Sequence, residues 1–566
     1  MRKKPAKSKE EKLAENYFPV DEDNLKFAVE KQYKPKKIEV IQISKPKRKV
    51  TRKTSSTSTT SRYKKTKIAS KSIIKTKVKS SALTKASKAE SYIPSKISLK
   101  KEGYELIITE KPQAAAKIAE SLGKCKKESL HGIAYYDVNR NGKKIIVACA
   151  VGHLFTLTQV EKGTQVPTFN IAWVPNFLVK KNDFTKKYHD TILSLVKNAG
   201  SLTVATDYDI EGEVIGYNVV RFICGQQDAN RMKFSTLTKS ELEKAYETKS
   251  STINWGQAIA GESRHYLDWF YGINLSRALM NAIKEAGRFK IMSIGRVQGP
   301  SLNLIVQREK KIQEFKSQPY WQVFIKVNNL KDVELKYIKD IFDKKELKQF
   351  EDLIGKKALA DTIKKQEILA PNPPFNLTNL QMEAYRLFGF TPARTLQIAQ
   401  SLYLAGVISY PRTSSQKLPD SLGYIDILNK LKKQYHVEHL IVKDKPIEGK
   451  ANDPAHPSIY PTGENTIMNE DEEKVYNLIV KRFLSLFCDN AIIDNKTINV
   501  KYNALTFNAK GAEVKQKAWL DIYPYKIKEI YLPDISGEIV ITDLRQEEKE
   551  TQPPKRYSPA SIVAEL

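Results

Sequence analysis

The first clear apolar run, Tyr104-Glu-Leu-Ile-Ile-Thr109, has the length and make-up of a short strand. It passes directly into Glu110-Lys-Pro-Gln-Ala-Ala-Ala-Lys-Ile-Ala-Glu-Ser-Leu-Gly123, where Pro near the start and Gly at the end bracket a helix. Apolar segments at 144–150 and 202–206 predict two more strands, and a helix is expected over 212–224. Strands and helices alternating in this way predict an α/β domain with a parallel sheet. The pattern then becomes mostly helical over 262–315. At 320–327 and 498–540, period-two alternation with aromatics predicts antiparallel β structure. Between those stretches lies a helical insert, about residues 378–490, with helices at 377–388, 391–405 and 471–488. An insert bracketed by two halves of one β domain is a module on a stalk, which can move as a unit.

Composition narrows the partners. The chain has 566 residues, 41% of them hydrophobic, enough for several cored domains, and a net charge of +31. From Lys45 to Lys100 there are 18 Lys or Arg against one acid, Glu90. With so few apolar residues, 1–102 is expected to be a mobile basic tail that holds nucleic acid by phosphate neutralisation; a solubilising tail is the plainer alternative. A short helix is expected around residues 23–30. The four cysteines, Cys125, Cys149, Cys224 and Cys488, form no C-x-x-C pair, so neither a zinc ribbon nor a disulfide framework is expected. No stretch approaches the roughly 18 apolar residues of a membrane span, and no signal peptide is evident. The expected location is cytoplasmic and nucleoid-associated, with no membrane partner.

The chemistry begins at Asp207-Tyr-Asp-Ile-Glu-Gly-Glu213, directly after a strand-like run. In an extended backbone Asp207, Asp209 and Glu211 would converge on one face, and three such hard-oxygen ligands suit Mg²⁺. Glu110 and Lys111 also stand at a strand's carboxyl end, where active sites of open α/β sheets lie, so both loops are expected to share one pocket. A solvated acidic turn and ordinary first-turn residues of a helix are the bland alternatives. A cation pocket in a strongly basic protein points to phosphodiester chemistry.

Glu110-Lys-Pro together with Asp207-x-Asp-x-Glu-Gly-Glu resembles the Toprim fold of topoisomerases, primases and some nucleases. Leu404-Ala-Gly-Val-Ile-Ser-Tyr-Pro-Arg-Thr-Ser414 resembles the active-site signature of type IA DNA topoisomerases. Other segments resemble that family in order: Gly152-His-Leu154, Phe234-Ser-Thr-Leu-Thr238, Arg264 through Arg277, Ser293-Ile-Gly-Arg-Val-Gln298 and Asp453-Pro-Ala-His456. The style of the motifs is closer to archaeal or topoisomerase III-like members.

The resemblance implies a multidomain α/β plus α and β protein, a Toprim domain within a toroidal core whose β arch carries a helical domain bearing the tyrosine. Expected bounds are 103–252 for Toprim, 253–317 for the helical DNA groove, 318–377 and 489–550 for the arch, 378–488 for the helical domain, and 551–566 for the return to the groove. It implies an ATP-independent isomerase in which Tyr410 forms a 5′-phosphotyrosyl bond, relaxing negatively supercoiled DNA by passing strands. No G-x-x-x-x-G-K-[ST] loop is present, consistent with no ATP. Catalytic residues would be Tyr410, Glu110, Lys111, Arg412 and His456. Mg²⁺ would sit on Glu110, Asp207, Asp209 and Glu211, with no zinc. Single-stranded DNA would lie on His153, Arg264, Asp268, Asn274, Arg277, Ser293, Gly295, Arg296, Val297, Gln298 and Thr413. Family members continue beyond the point matching Leu566, so a second polypeptide supplying the rest is expected, with truncation as the rival. Other readings are the topoisomerase half of a split reverse gyrase, a Toprim nuclease or primase, and a non-catalytic DNA-packaging protein.

Overall fold

The computed structural model describes residues 92–180, 183–288 and 290–566. All of them belong to one compact unit spanning 85–566. Most of the basic run and the helix expected at 23–30 lie outside the described residues.

Elements follow one another as β1 (Tyr104–Thr109), α1 (Pro112–Leu122), β2 (Lys124–Leu130), β3 (Ile133–Arg140), β4 (Lys143–Cys149), β5 (Phe155–Gln159), β6 (Ile171–Pro175), α2 (Asn176–Val179), α3 (Thr185–Val196), β7 (Ala199–Ala205), α4 (Ile210–Asn218), β8 (Asn230–Arg231) and α5 (Lys239–Glu247). They build a six-stranded sheet of order β2-β3-β4-β1-β7-β8. Its centre is parallel, with Ile107 opposite Val147 on β4 and Thr203 on β7. β2 and β3 add an antiparallel edge.

Alternate residues of β1 feed opposite faces, so both faces need covering. Ile107 joins Ala114, Ile118 and Leu122 of α1 in one core, whereas Leu106 and Ile108 join Ile192 and Val196 of α3 in another. Residues 92–102, expected to belong to the mobile tail, instead lie along this domain. Tyr92, Ile97 and Leu99 pack on the second core, and Lys100 N–H donates to Ala199 O at 2.9 Å. Three apolar anchors within eight residues give that short stretch what the tail composition otherwise lacks.

Next come α6 (Trp255–Glu285) and α7 (Gln298–Gln313), which make up most of the region expected to be mostly helical, with a break over 286–297. β9 (Pro319–Val327), β10 (Leu330–Tyr337) and β11 (Lys357–Leu369) lead to the insert of α8 (Leu377–Phe388), α9 (Pro392–Ala405), α10 (Tyr424–Gln434) and α11 (Glu470–Ser485). β12 (Ala491–Tyr502), β13 (Leu505–Gln516) and β14 (Gly537–Glu550) return from it. The six strands close a barrel in the order β10-β13-β12-β11-β14-β9. β11 and β12 pair from Leu359 opposite Lys501 to Leu369 opposite Ala491. The insert therefore leaves and re-enters the barrel at one point, on a two-strand stem.

The last helix, α12 (Pro559–Glu565), packs on α8 and α9. Just before it, Arg308 of α7 donates to Lys555 O at 3.1 Å and to the Tyr557 hydroxyl at 2.9 Å. The chain thus touches α7 at 555–557, and α12 then lies on the insert. Its Pro at the first turn and buried Ala560 suit the surface of α8.

Candidate active site

The core that covers one face of the parallel sheet runs on without a break into the insert: Ile107, Val147 and Leu237 share it with Ile398, Leu402, Tyr403, Ile408 and Tyr410. This apolar continuity presses the segment after α9 against the ends of β1 and β7. Gly406 closes α9 at φ 84°, a left-handed conformation that glycine adopts without strain, and the chain turns into Val407–Tyr410. Ser409 N–H then donates to Tyr460 O at 2.9 Å, and Tyr410 N–H donates to Ser235 O at 2.8 Å. Backbone bonds from both the insert and the sheet domain therefore set the position of Tyr410.

Its hydroxyl donates to Asp209 Oδ2 at 2.5 Å. Neighbouring Tyr403, fully buried, donates to Asp207 Oδ1 at 3.2 Å. Lys111 Nζ bonds Asp207 and lies 3.4 Å from Glu110. Glu110, Lys111, Asp207, Asp209 and Tyr410 are thus one cluster. Burial, then the Asp207 charge and, more weakly, Asp209, raise the Glu110 pKa to about 7 against the pull of Lys111. Burial works against the Lys111 charge, yet Asp207 and Glu110 hold its pKa above the ordinary range. The Tyr410 phenol is pushed far above its ordinary value by burial and then by Asp207 and Asp209; Arg412 opposes them. Arg412 is exposed and forms no ion pair or hydrogen bond among the described residues, so its guanidinium is open to a ligand at the tyrosine.

His456 packs its ring 4.5 Å from that of Tyr410, and its Nδ1 pairs with Ser235 Oγ at 3.0 Å. Burial lowers its pKa to about 4, so it is neutral at pH 7. Its Nε2 is buried with no partner.

The carboxylates are arranged differently from the extended run the spacing suggested. Helix α4 starts at Ile210, and Asp209 caps it, accepting from Gly212 N–H at 2.7 Å. Glu211 lies in the helix's first turn and turns away, accepting from His265 Nε2 at 2.9 Å and His153 Nε2 at 3.1 Å. Two-residue alternation holds only while the backbone is extended; here an anionic cap starts the helix instead. Glu110, Asp207 and Asp209 are hard-oxygen donors of the kind Mg²⁺ takes, although their oxygens do not all lie within 4.8 Å of one another; burial and then the Asp207 and Asp209 charges raise Glu110, and a dication would relieve that repulsion.

The remaining expected residues divide. Arg264 reaches Glu211 at 3.5 Å, and Asp268 pairs with Arg296 at 2.6 Å. Asn274 and Arg277 are tied to the 159–168 loop: Asn274 Oδ1 accepts from Thr168 N–H at 2.8 Å, and Arg277 donates to Gln159 Oε1 at 2.5 Å. Ser293, Gly295, Val297 and Gln298 lie at the α6–α7 break, with Val297 56% exposed. Thr413 differs from its expected place on the bound strand: it is buried, and its hydroxyl accepts from Ser415 N–H at 3.0 Å and donates to His456 O at 3.4 Å. It serves the turn that carries the tyrosine.

Sequence reasoning overlooked Tyr403, Ser235, His265 and Arg231. Arg231, buried, pairs with buried Glu213 at 2.8 Å and donates to Thr206 O at 2.9 Å and Asp207 O at 3.0 Å, fixing the backbone that bears the acids. Only Glu213, last residue of the acidic run, offered a clue: a buried carboxylate requires a cation.

A family model described as DNA topoisomerase matches residues 252–566, and one described as the Toprim domain matches 105–237. The chain belongs to the type IA DNA topoisomerase family. It is 44% identical over 480 residues to DNA topoisomerase 1 of Methanocaldococcus jannaschii, covering 81% of this chain and 62% of that protein. Against DNA topoisomerase 1 of Pyrococcus horikoshii it is 43% identical over 486 residues, 81% of this chain and 71% of the relative. The solved full-length topoisomerase I of Thermotoga maritima shares the fold, with a TM-score of 0.63 at 23% identity over 81% of this chain and 74% of that one. The chain therefore spans less than two thirds of the Methanocaldococcus relative's length. Among the described residues no helix is long and apolar enough to cross a membrane.

Proposed function

We propose that this chain carries the strand-cleaving and rejoining centre of an ATP-independent DNA topoisomerase that relaxes negatively supercoiled DNA. The observation that carries the reading is the Tyr410 hydroxyl seated on Asp209 in the acidic cluster at the strand ends. Tyr410 Oη attacks the phosphorus of a single-stranded phosphodiester; the P–O(Tyr) bond forms and the P–O3′ bond breaks. The phenolic proton passes to Asp209, its hydrogen-bond partner. Glu110, with a pKa of about 7, is partly protonated at neutral pH and supplies the proton taken up by the departing 3′ oxygen. Exposed Arg412 holds the non-bridging oxygens as a planar fork, and Lys111 adds positive charge beside them. Rejoining runs these transfers backwards: Glu110 accepts the 3′-hydroxyl proton and Asp209 returns one to Tyr410. A Mg²⁺ ion held by Glu110, Asp207 and Asp209 would screen the phosphate from the carboxylates. Because transesterification conserves the number of phosphodiester-type bonds, no nucleotide is consumed.

Between cleavage and rejoining the insert lifts on the β11–β12 stem to let a strand pass. Arg264, Arg277, Arg296 and Gln298 line the groove that tracks the cleaved strand. On α6 and α7, Leu267, Leu302 and Ile305 are exposed.

The central test uses a 3′-labelled single-stranded oligonucleotide, Mg²⁺ and an alkaline or detergent quench, so that the label stays on the fragment joined to the protein. The unmodified chain should yield a covalent protein–DNA adduct, and Tyr410→Phe none, with single-strand affinity within about threefold. An adduct formed by Tyr410→Phe would end the proposal.

A further inference from the structure

Helix α6 brings His265 to a place that strand cleavage does not use. His265 Nε2 lies 2.9 Å and His153 Nε2 3.1 Å from the same oxygen, Glu211 Oε2, and the three ligating atoms all lie within 4.8 Å of one another. Among the described residues this is the one group of three or more His, Cys, Asp or Glu side chains so placed. The imidazole rings meet edge to face, 4.9 Å between centroids.

Each ligand comes from a different element, and each is locally held. Val151 and Gly152, both at positive φ, turn the loop after β4 so that His153 faces inward, and Asn176 Nδ2 donates to His153 O at 2.6 Å. Glu211 sits in the first turn of α4, set by the Asp209 cap. His265 follows Gly261 by one turn, and a Cβ at Gly261 would stand 2.4 Å from Ile210 O, so glycine there is what lets α6 close on α4. Behind His265 stands the Trp173 indole, 5.4 Å away, itself tied to Glu262 at 3.0 Å. The three side chains are between 28% and 30% exposed, so an ion can enter from solvent.

Two imidazole nitrogens and one carboxylate oxygen are not a magnesium donor set. They suit a borderline divalent ion, above all zinc, which takes three protein ligands and keeps a fourth position open. We propose that His153, Glu211 and His265 form a second cation site for a zinc-like ion, distinct from the hard-oxygen pocket of Glu110, Asp207 and Asp209. Expecting no zinc rested on cysteine spacing alone, which is silent about histidines joined through the fold. Binding exchanges the two N–H···O contacts at Nε2 for metal–ligand bonds at the same nitrogens, the ring proton of each neutral imidazole then residing on Nδ1. Arg264, 3.5 Å from the other Glu211 oxygen and 45% exposed, has room to move aside. The ion would clamp the loop at Gly152–Leu154 to α4 and α6.

Cobalt serves as the probe, because zinc has no visible spectrum. Metal-free full chain is titrated with CoCl₂ in excess MgCl₂ and read by d–d absorption. The expected result is one equivalent of Co²⁺ with the intense band of a low-coordinate site, unaffected by Mg²⁺ and displaced by Zn²⁺. Affinity should fall roughly tenfold or more in both His265→Ala and His265→Gln. His436 and His439 are exposed and close in sequence, and the double variant His436→Ala/His439→Ala should retain the band. Absence of the band, its persistence in both His265 variants, or its loss in the double variant would each overturn the proposal. Circular dichroism confirms that every variant is folded. None of these readouts depends on strand cleavage, so the site stands or falls apart from the catalytic reading.

Discussion

Gly212 leaves no space for a side chain: a Cβ there would stand 2.1 Å from Asp207 O, while its own N–H and C=O are taken by Asp209 and Thr206. Alanine is favoured over glycine in a helix by up to about 1 kcal/mol, but the clash falls on backbone, which cannot rotate away. Gly212→Ala should therefore lower stability by roughly 1–3 kcal/mol, visible as a reduced melting temperature, and weaken adduct formation by moving Asp207. An unchanged melting temperature with full cleavage would show that the loop has more room than it has here. Tyr410 and Arg412 were readable at this scale because their neighbours form a long motif. His265 was not: no local pattern marks a histidine whose partners lie 54 and 112 residues away.

The Toprim strands and helices show what a segment's pattern carries. β1, β4 and β7 read as apolar runs because both faces of a central parallel strand are covered. β2 escaped notice, being polar and mostly exposed at the sheet edge, and β3 beside it is only partly buried along most of its length. Within the sheet, buried Glu105 accepts from Lys143 and Lys249 at 2.6 Å, from Tyr246 at 2.8 Å and from Thr203 at 2.5 Å. Burial alone would raise its pKa, but these donors outweigh it and hold the carboxyl down at about 2. A folded pKa below the ordinary value of 4.5 means stability that is complete above pH 4.5 and lost as pH falls toward 2. The loss should approach about 3 kcal/mol in melts across that window, and Glu105→Gln should be weaker at pH 7 and lack this acid-dependent part. The Arg231–Glu213 pair is a sharper case. Arg231→Met strands a buried carboxylate and should cost about 3–5 kcal/mol, whereas an exposed pair such as Lys357–Glu538 should matter little when broken.

For the molecule as a whole, the decisive contact joins two parts far apart in the chain. Lys117 of α1 donates to Ala405 O at 3.0 Å, beside the Tyr410–Asp209 bond, and both contacts must break if the insert lifts. Cysteines at 117 and 405 bridged by a short bis-maleimide should leave oligonucleotide cleavage intact and stop plasmid relaxation; relaxation by the bridged protein would exclude lifting at this seam. The net charge of +31 belongs to the same scale. Removing residues 1–91 should flatten the dependence of DNA affinity on salt without shifting the cleavage position, since fewer counterions are released.

Local pattern by itself determined the strand–helix alternation, the helices of the insert and the acidic run after β7, because these are read from periodicity, caps and spacing; Tyr410 and Arg412 stood out only through the resemblance of their segment to a family motif. Tertiary structure alone decided which acids face the tyrosine. Glu211 was separated from Asp209 by the start of a helix, Arg231 was brought beneath the acidic loop, and two histidines were placed on one oxygen. Such choices depend on where an extended backbone stops and which distant groups then meet, and neither is encoded in the spacing of neighbours.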